Sequence, residues 1–333
     1  MTVSSAIHSM NHYGKSRRPF LFVIDFLMQQ PIIIPLDEVN PEYILYNLNG
    51  FTNASLKPGN FTQSFTFSKE PPGFGRYQEA YHYAMKHLLH GNSFLLNLTM
   101  PTAIETNLAL KEIFYRSGAA YKLWYEDKIV VFSPELFVKI TNGRIESHPM
   151  KGTIDASVPD AENRILGDPK EIAEHNTIVD LIRNDLNRVA RNVHVEKFRF
   201  VTAVRTQNKT LLQVSSGIAG NLDANYNENI GDLIFGLLPA GSISGAPKKK
   251  TIEVILESER YERGYYTGIF GIFDGHNLDS GVMIRFIENI EGKLFFKSGG
   301  GITVNSRCED EYQELIDKVY LPFVSHECTN KYI

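Results

Sequence analysis

Strand-like runs that follow one another across short turns constrain most strongly what this chain can fold into. Apolar runs rich in β-branched and aromatic residues occupy 121–124, 129–132 and 136–140, a few residues apart, and the last ends at Asn142-Gly143. Others stand at 20–24, 32–34, 94–100, 268–273, 280–287 and 293–297. Helical periodicity is found at 77–90, which stops at Gly91-Asn92, at 169–191, at 248–260 and in a closing segment at 308–323. A parallel strand pair needs a crossover of about a dozen residues or more. Strands this close, with the helices set apart, predict an α+β fold of largely antiparallel sheets and not a doubly wound parallel sheet. Residues 1–18 read as loose and polar. Residues 52–73, with several Asn, Ser and Thr and closing on Pro71-Pro72-Gly73, read as a loop region and a boundary.

Composition narrows the class of function. At 333 residues, 43% of them hydrophobic and 22% charged, the chain can bury the core such sheets need. A formal net charge of −4 leaves no footprint of a nucleic-acid binder. The two cysteines, Cys308 and Cys328, form neither a CxxC pair nor a disulfide framework, which fits a reducing cytoplasm. The first residues lack the apolar core of a signal peptide. The apolar runs at 20–28 and 31–36 are interrupted by Asp25 and separated by Gln29-Gln30, so neither is long enough for a bilayer. A cytoplasmic location with no nucleic-acid or membrane partner is expected.

Chemistry concentrates between residues 148 and 190. That stretch opens His148-Pro149-Met150-Lys151-Gly152-Thr153 and continues into a helix. Asp168 can cap its first amides, Pro169 fits the first helical position, and Glu171 stands where a capping box wants its acid. Ile172, Val179, Ile182, Leu186 and Val189 make a stripe at helical spacing. Glu171 and Glu174 share one face of the first turn, with His175 beside them. Taken alone, this reads as a capped surface helix plus an exposed lysine, because acids favour helix N-termini anyway. A second Glu-x-x-Glu pair, Glu311 and Glu314, follows what reads as another capping box, Ser306-Arg307-Cys308-Glu309. A solvated face with a Glu314–Lys318 pair also explains it. Four carboxylates brought together would need a cation, and all-oxygen ligation suits Mg²⁺ better than Zn²⁺.

Three other segments attract notice. Ser298-Gly299-Gly300-Gly301-Ile302 offers either an anion-binding nest of amides or a tight turn. Arg285 is a lone cation in the apolar run Val282-Met283-Ile284-Arg285, where a partner acid or a ligand carboxylate is expected. The stretch from Gly241 to Lys248 lacks both the GxxxxGK[ST] spacing and the serine of GxSxG, and reads as a tight loop leading into a helix.

With Ser133-Pro134-Glu135-Leu136, Pro149 to Thr153, Glu171 to Val189, Gly241 to Lys248, Gly264 to Gly271, Ile284-Arg285, Gly299 to Ile302 and Glu311 to Lys318 in that order, the chain resembles the chorismate-utilising enzymes. These include component I of aminodeoxychorismate synthase and of anthranilate synthase, isochorismate synthases and salicylate synthases. The resemblance spans roughly residues 75–325. It implies a two-subdomain layered α/β sandwich with helices on the outside. A shortened N-terminal region, 1–74, would pack on a catalytic domain at 75–326.

The resemblance also implies roles. Glu171, Glu174, Glu311 and Glu314 would surround Mg²⁺. Arg285, Lys318 and the amides of Gly299, Gly300 and Gly301 would hold substrate carboxylates, with Tyr266, Ser242 and Thr153 nearby. Glu135 would protonate the departing C4 hydroxyl of chorismate, its pKa raised by neighbouring carboxylates. Lys151 would attack C2 as that hydroxyl leaves, and ammonia would then displace it at C4, giving 4-amino-4-deoxychorismate. Two positions separate the branches. Leu95 stands where isochorismate and salicylate synthases carry a water-activating lysine, and Lys151 stands where anthranilate synthases typically have alanine. The aminodeoxychorismate branch is therefore expected.

Three departures accompany it. Leu95 also replaces a glutamine common in the amination branches, Gln213 replaces a histidine tied to pyruvate elimination, and the short N-terminal region predicts no regulation by tryptophan. Neither cysteine sits in a glutaminase nucleophile turn. Ammonia would come from solution or from a separate glutamine amidotransferase subunit, and a downstream aminodeoxychorismate lyase would release p-aminobenzoate.

Overall fold

The computed structural model describes residues 1–55, 64–205 and 210–323, with the backbone alone at Lys151, Lys170, Val204 and Arg205. Its frame is a pair of nine-stranded sheets. Every strand pairing in them is antiparallel, as the short connections predict. The first sheet runs, in space, Met150–Asp155, Thr210–Asn221, Arg144–Ser147, Leu136–Thr141, Leu278–Val282, Ile269–Phe273, Phe20–Ile24 and Ile32–Pro35, with Arg191–Arg205 also on Thr210–Asn221. The second runs Gly245–Ala246, Leu95–Thr106, Lys293–Ile302, Phe286–Ile290, Ile129–Ser133, Tyr121–Tyr125, Ile44–Leu48 and Phe51–Thr52. Phe67–Glu70 also pairs with Leu95–Thr106.

Alternation of side chains across each strand builds the layers. Leu21, Val23, Phe270 and Ile272 of the first sheet meet Leu123, Ile129 and Val131 of the second in one apolar cluster between the sheets. Phe20, Phe22 and Ile24 turn the other way and join Ala6, Met10, Ile230 and Ile234 of two helices. Leu45, Trp124, Val130 and Phe132 pack likewise on Leu110, Ile113 and Phe114. Phe20–Ile24 is buried at all five positions, which explains why its sequence is apolar without alternation. Among the described residues no helix is long and apolar enough to cross a membrane.

Several expectations change. Residues 1–18 are not loose: Val3–Lys15 is a helix capped by Thr2, whose hydroxyl accepts the Ser5 amide at 3.2 Å. Ala6, Met10 and Gly14, one turn apart, are its buried stripe. The stripe is narrow enough to be hidden among polar residues in the sequence. Residues 1–74 supply Phe20–Ile24 and Ile32–Pro35 to the first sheet and Ile44–Leu48, Phe51–Thr52 and Phe67–Glu70 to the second. Of the loop expected at 52–73, Phe67–Glu70 is a strand and 56–63 lie outside the described residues. The helix expected over 169–191 ends at Leu186, and Arg191 opens a long strand whose half-exposed residues gave no clear pattern. The closing helix is Cys308–Asp317.

One correction bears on function. The apolar run at 280–287 is two strands: Leu278–Val282 belongs to the first sheet and Phe286–Ile290 to the second. The chain passes between them at 283–285, with Arg285 at a φ of 53°. A parallel event occurs between Ile129–Ser133 and Leu136–Thr141, so Pro134 and Glu135 also bridge the two sheets. The two passages are bonded to each other. Phe132 N–H donates to Arg285 O at 3.1 Å, and Val282 N–H donates to Glu135 O at 3.0 Å.

Candidate active site

That pair of passages carries both Glu135 and Arg285 across from one sheet to the other. The Ser242 hydroxyl donates to Glu135 Oε1 at 2.6 Å. Ser242 rides on the short helix Gly241–Ser244, and Gly241 is what lets the helix Pro169–Leu186 lie against it. A Cβ at residue 241 would stand 2.8 Å from Asp185 Oδ2 and 2.9 Å from Leu181 Cγ. Asp185 pairs with Lys248 at 2.7 Å, and Lys248 also donates to Leu237 O at 2.7 Å. Burial raises the Asp185 carboxyl and lowers the Lys248 ammonium, each against the attraction of its partner. This pair clamps the Gly241–Ser244 segment from both sides. No motif in the sequence marks it, although Asp185 stands one turn after the buried Leu181.

Arg285 lies with its guanidinium 5.6 Å from the centre of the Tyr320 ring. Its buried Nε has no acceptor among the described residues, so one donor remains for a ligand. Tyr266 is 3% exposed and packs on Phe286. Its hydroxyl pKa is pushed upward, by burial first; Arg263 and Arg285 oppose the rise, whereas Glu259 and Glu135 add to it. Tyr266 therefore feels both residues of the passages.

The triple glycine is neither a turn nor a nest. Gly299, Gly300 and Gly301 are extended within Lys293–Ile302 and stand opposite Thr99, Leu98 and Asn97. A nest needs successive turns of the backbone, and a sheet ladder excludes them. Glycine is needed here for room. A Cβ on Gly300 would lie 3.2 Å from Glu311 Oε2 and 3.3 Å from Glu314 Oε1, and one on Gly299 would lie 2.1 Å from Leu98 O. Lys318 closes the group, donating to Gly299 O at 2.8 Å and pairing with Glu314. Ser306 is not the cap of this helix; its hydroxyl accepts the Thr303 amide at 3.2 Å, and Arg307 holds the cap position without a side-chain bond.

The other acidic helix begins as expected, with the Glu171 amide donating to Asp168 Oδ1 at 3.0 Å. Glu171 seats its carboxylate on Gly152: a Cβ there would be 2.8 Å from Oε2, and the φ of +83° favours glycine as well. Glu174 and His175 are buried, and His175 Nε2 lies 2.7 Å from Ser216 Oγ. Ser216 Oγ also accepts the Arg199 amide at 2.9 Å. Thr153 is exposed and stands opposite Gln213, whose Nε2 turns to Met150 Sδ at 2.7 Å. Lys151 lies in Met150–Asp155, and its side chain is outside what the structure describes.

The predicted site residues thus fall into three groups. Glu135, Ser242, Arg285 and Tyr266 gather at the passages; Glu311, Glu314 and Lys318 gather on the glycines; Glu171 sits on Gly152. Tyr320, two residues beyond Lys318, links the first group to the second through Arg285. Carboxylate oxygens are the right donors for Mg²⁺. Among the described residues no three His, Cys, Asp or Glu side chains stand close enough together to hold a metal ion.

Comparisons with known proteins were made against this geometry. The sequence profile of chorismate binding enzymes matches residues 37–322. An uncharacterized PabA-like protein of Haemophilus influenzae is 50% identical over 321 residues, 96% of this chain and 97% of that one. Aminodeoxychorismate synthase component 1 of Bacillus subtilis is 30% identical over 308 residues, 88% of this chain and 63% of its own length. A crystal structure of a putative 2,3-dihydroxybenzoate-specific isochorismate synthase from Bacillus anthracis matches with a TM-score of 0.73 over 96% of this chain and 87% of that one. At 19% identity that likeness is one of fold. Because the profile runs from residue 37, ahead of the strand Ile44–Leu48, to residue 322, beyond Lys318, and so covers all three groups of site residues, the chain belongs to the family of chorismate-binding enzymes.

Proposed function

We propose that this enzyme aminates chorismate at C4 with ammonia, giving 4-amino-4-deoxychorismate and water, as component I of an aminodeoxychorismate synthase. The seat of Lys151 carries the reading. The strand Met150–Asp155 turns Gly152 against the Glu171 carboxylate, so a lysine precedes the glycine that cradles the first of the four glutamates. Lys151, as the neutral amine, forms a bond to C2 while the C4 hydroxyl leaves as water, its proton supplied by Glu135. Ser242 holds the Glu135 carboxyl in place through its 2.6 Å bond. Ammonia then bonds to C4 and lysine departs from C2, which returns the two ring double bonds to their original positions, and a proton of the new ammonium returns to Glu135. Arg285 and Lys318 supply cations for the substrate carboxylates, with Tyr266, Thr153 and the glycines Gly299 to Gly301 around them.

Glu171, Glu174, Glu311 and Glu314 are the residues that would hold Mg²⁺, which when bound would neutralise and orient a substrate carboxylate. Addition of water, as in isochorismate synthases, is disfavoured because residue 95 is a leucine only 2% exposed, with no basic group. Ammonia would arrive from solution or from a separate glutamine amidotransferase subunit, and an aminodeoxychorismate lyase would act next.

The test is mass spectrometry of the protein incubated with chorismate and Mg²⁺ but no ammonia. A mass gain of chorismate less one water, mapped to the peptide containing Lys151 and discharged by ammonium, is the expected result. Lys151→Ala should lose both the adduct and the product. Product formation by Lys151→Ala at the wild-type rate would remove the covalent role.

A further inference from the structure

Beneath the passages lies a guanidinium that no step above uses. Arg263 has a side chain 0% exposed, paired in bidentate fashion with Glu259, itself 1% exposed. Nε donates to Glu259 Oε2 at 2.9 Å and Nη2 to Glu259 Oε1 at 2.6 Å. The remaining donors go to three different segments: Nη2 to Asn97 O at 2.7 Å, and Nη1 to Ile243 O at 3.3 Å and to Thr267 Oγ1 at 3.1 Å. All five N–H donors of the fork are therefore used. Each acceptor adjoins a site residue. Ile243 follows Ser242, Thr267 follows Tyr266, and Asn97 stands opposite Gly301 in the sheet. The Arg263 carbonyl also accepts the Tyr266 amide at 3.1 Å and Lys297 Nζ at 2.9 Å. Phe26 covers the guanidinium face at 4.5 Å.

We infer that Arg263 is a positioning residue, which fixes Ser242, Tyr266 and the Gly301 strand relative to one another through one rigid plane of donors. This rests on the reading that those three border the chorismate site. Stability alone is a poor reason for such a pair. Apolar residues of similar volume commonly replace a buried ion pair at no cost, whereas a planar fork imposes directions that packing does not. Lysine cannot substitute, because its three donors on one nitrogen reach fewer of these acceptors and fix no plane.

The test is steady-state kinetics on Arg263→Lys and on the double variant Arg263→Met/Glu259→Met, scored as chorismate consumed whatever product forms. A different product would then overturn the amination reading and leave this inference standing. The expected result is a folded protein, with wild-type circular dichroism and melting, whose kcat per folded molecule falls about tenfold or more while chorismate KM moves far less. Wild-type kcat in either folded variant would overturn the inference. So would activity lost only in proportion to the unfolded fraction, or failure of both variants to fold, because either would make the pair a stability element.

Discussion

At the scale of single residues, the account turns on which side chains can move a proton and which cannot. Glu135 is held by Ser242 at 2.6 Å, and Glu135→Gln keeps an oxygen for that hydroxyl while removing the acid. Its kcat should fall by about a hundredfold or more, the usual range for a lost general acid, with the fold intact. Chromatographic measurement of chorismate consumed checks this, and a variant within threefold of wild type would place the proton donor elsewhere. Cys308 gives a pH-dependent check on the start of the second acidic helix. Burial first, then Glu309, pushes its thiol up to about 11. A raised folded-state pKa means that the stability this thiol contributes is complete below the unfolded-state value and is lost as pH rises through about 11. In the native protein, peptide mapping after alkylation at mildly alkaline pH should find Cys308 unmodified; modification at the rate seen in denaturant would contradict its burial.

At the scale of elements, glycines decide how closely the acidic helix and its strand approach. Gly300 lies where any side chain would press on Glu311 and Glu314 at 3.2 and 3.3 Å. Gly300→Ala should cost about 1 kcal/mol of stability, the small end of overpacking, while reducing kcat disproportionately. Urea denaturation and kinetics on the same sample separate the two effects; full activity with that stability loss would remove the carboxylates from the site. This region also shows where sequence reading stopped. The glycines and the glutamates were legible as separate motifs, yet the triple glycine was read as a nest or turn, because nothing local distinguishes room for a neighbouring helix from room for a bend. The same holds for 280–287, whose continuous apolar character hides a passage between sheets. Both halves are buried, so no change of pattern marks Arg285.

At the scale of the whole molecule, close strand spacing was enough to specify antiparallel sheets, and two such sheets form the frame. The sequence of residues 1–18 hides its helix because the buried stripe is only Ala6, Met10 and Gly14, and its partner, the helix Ile230–Leu237, is over two hundred residues away in the chain. The Arg263 fork escaped notice for a related reason: its acceptors, Asn97, Ile243 and Thr267, come from three segments joined only in the fold. What the sequence does carry is the ordered set of motifs, which the fold gathers into three groups. The reaction proposed for the molecule is conversion of chorismate and ammonia into 4-amino-4-deoxychorismate. The most direct measurement is product analysis of the purified protein with chorismate, Mg²⁺ and excess ammonium at mildly alkaline pH, with and without an aminodeoxychorismate lyase. The expected product is an amino-deoxychorismate that becomes p-aminobenzoate when the lyase is added; fluorescent anthranilate, or isochorismate, as the product would contradict the proposed reaction.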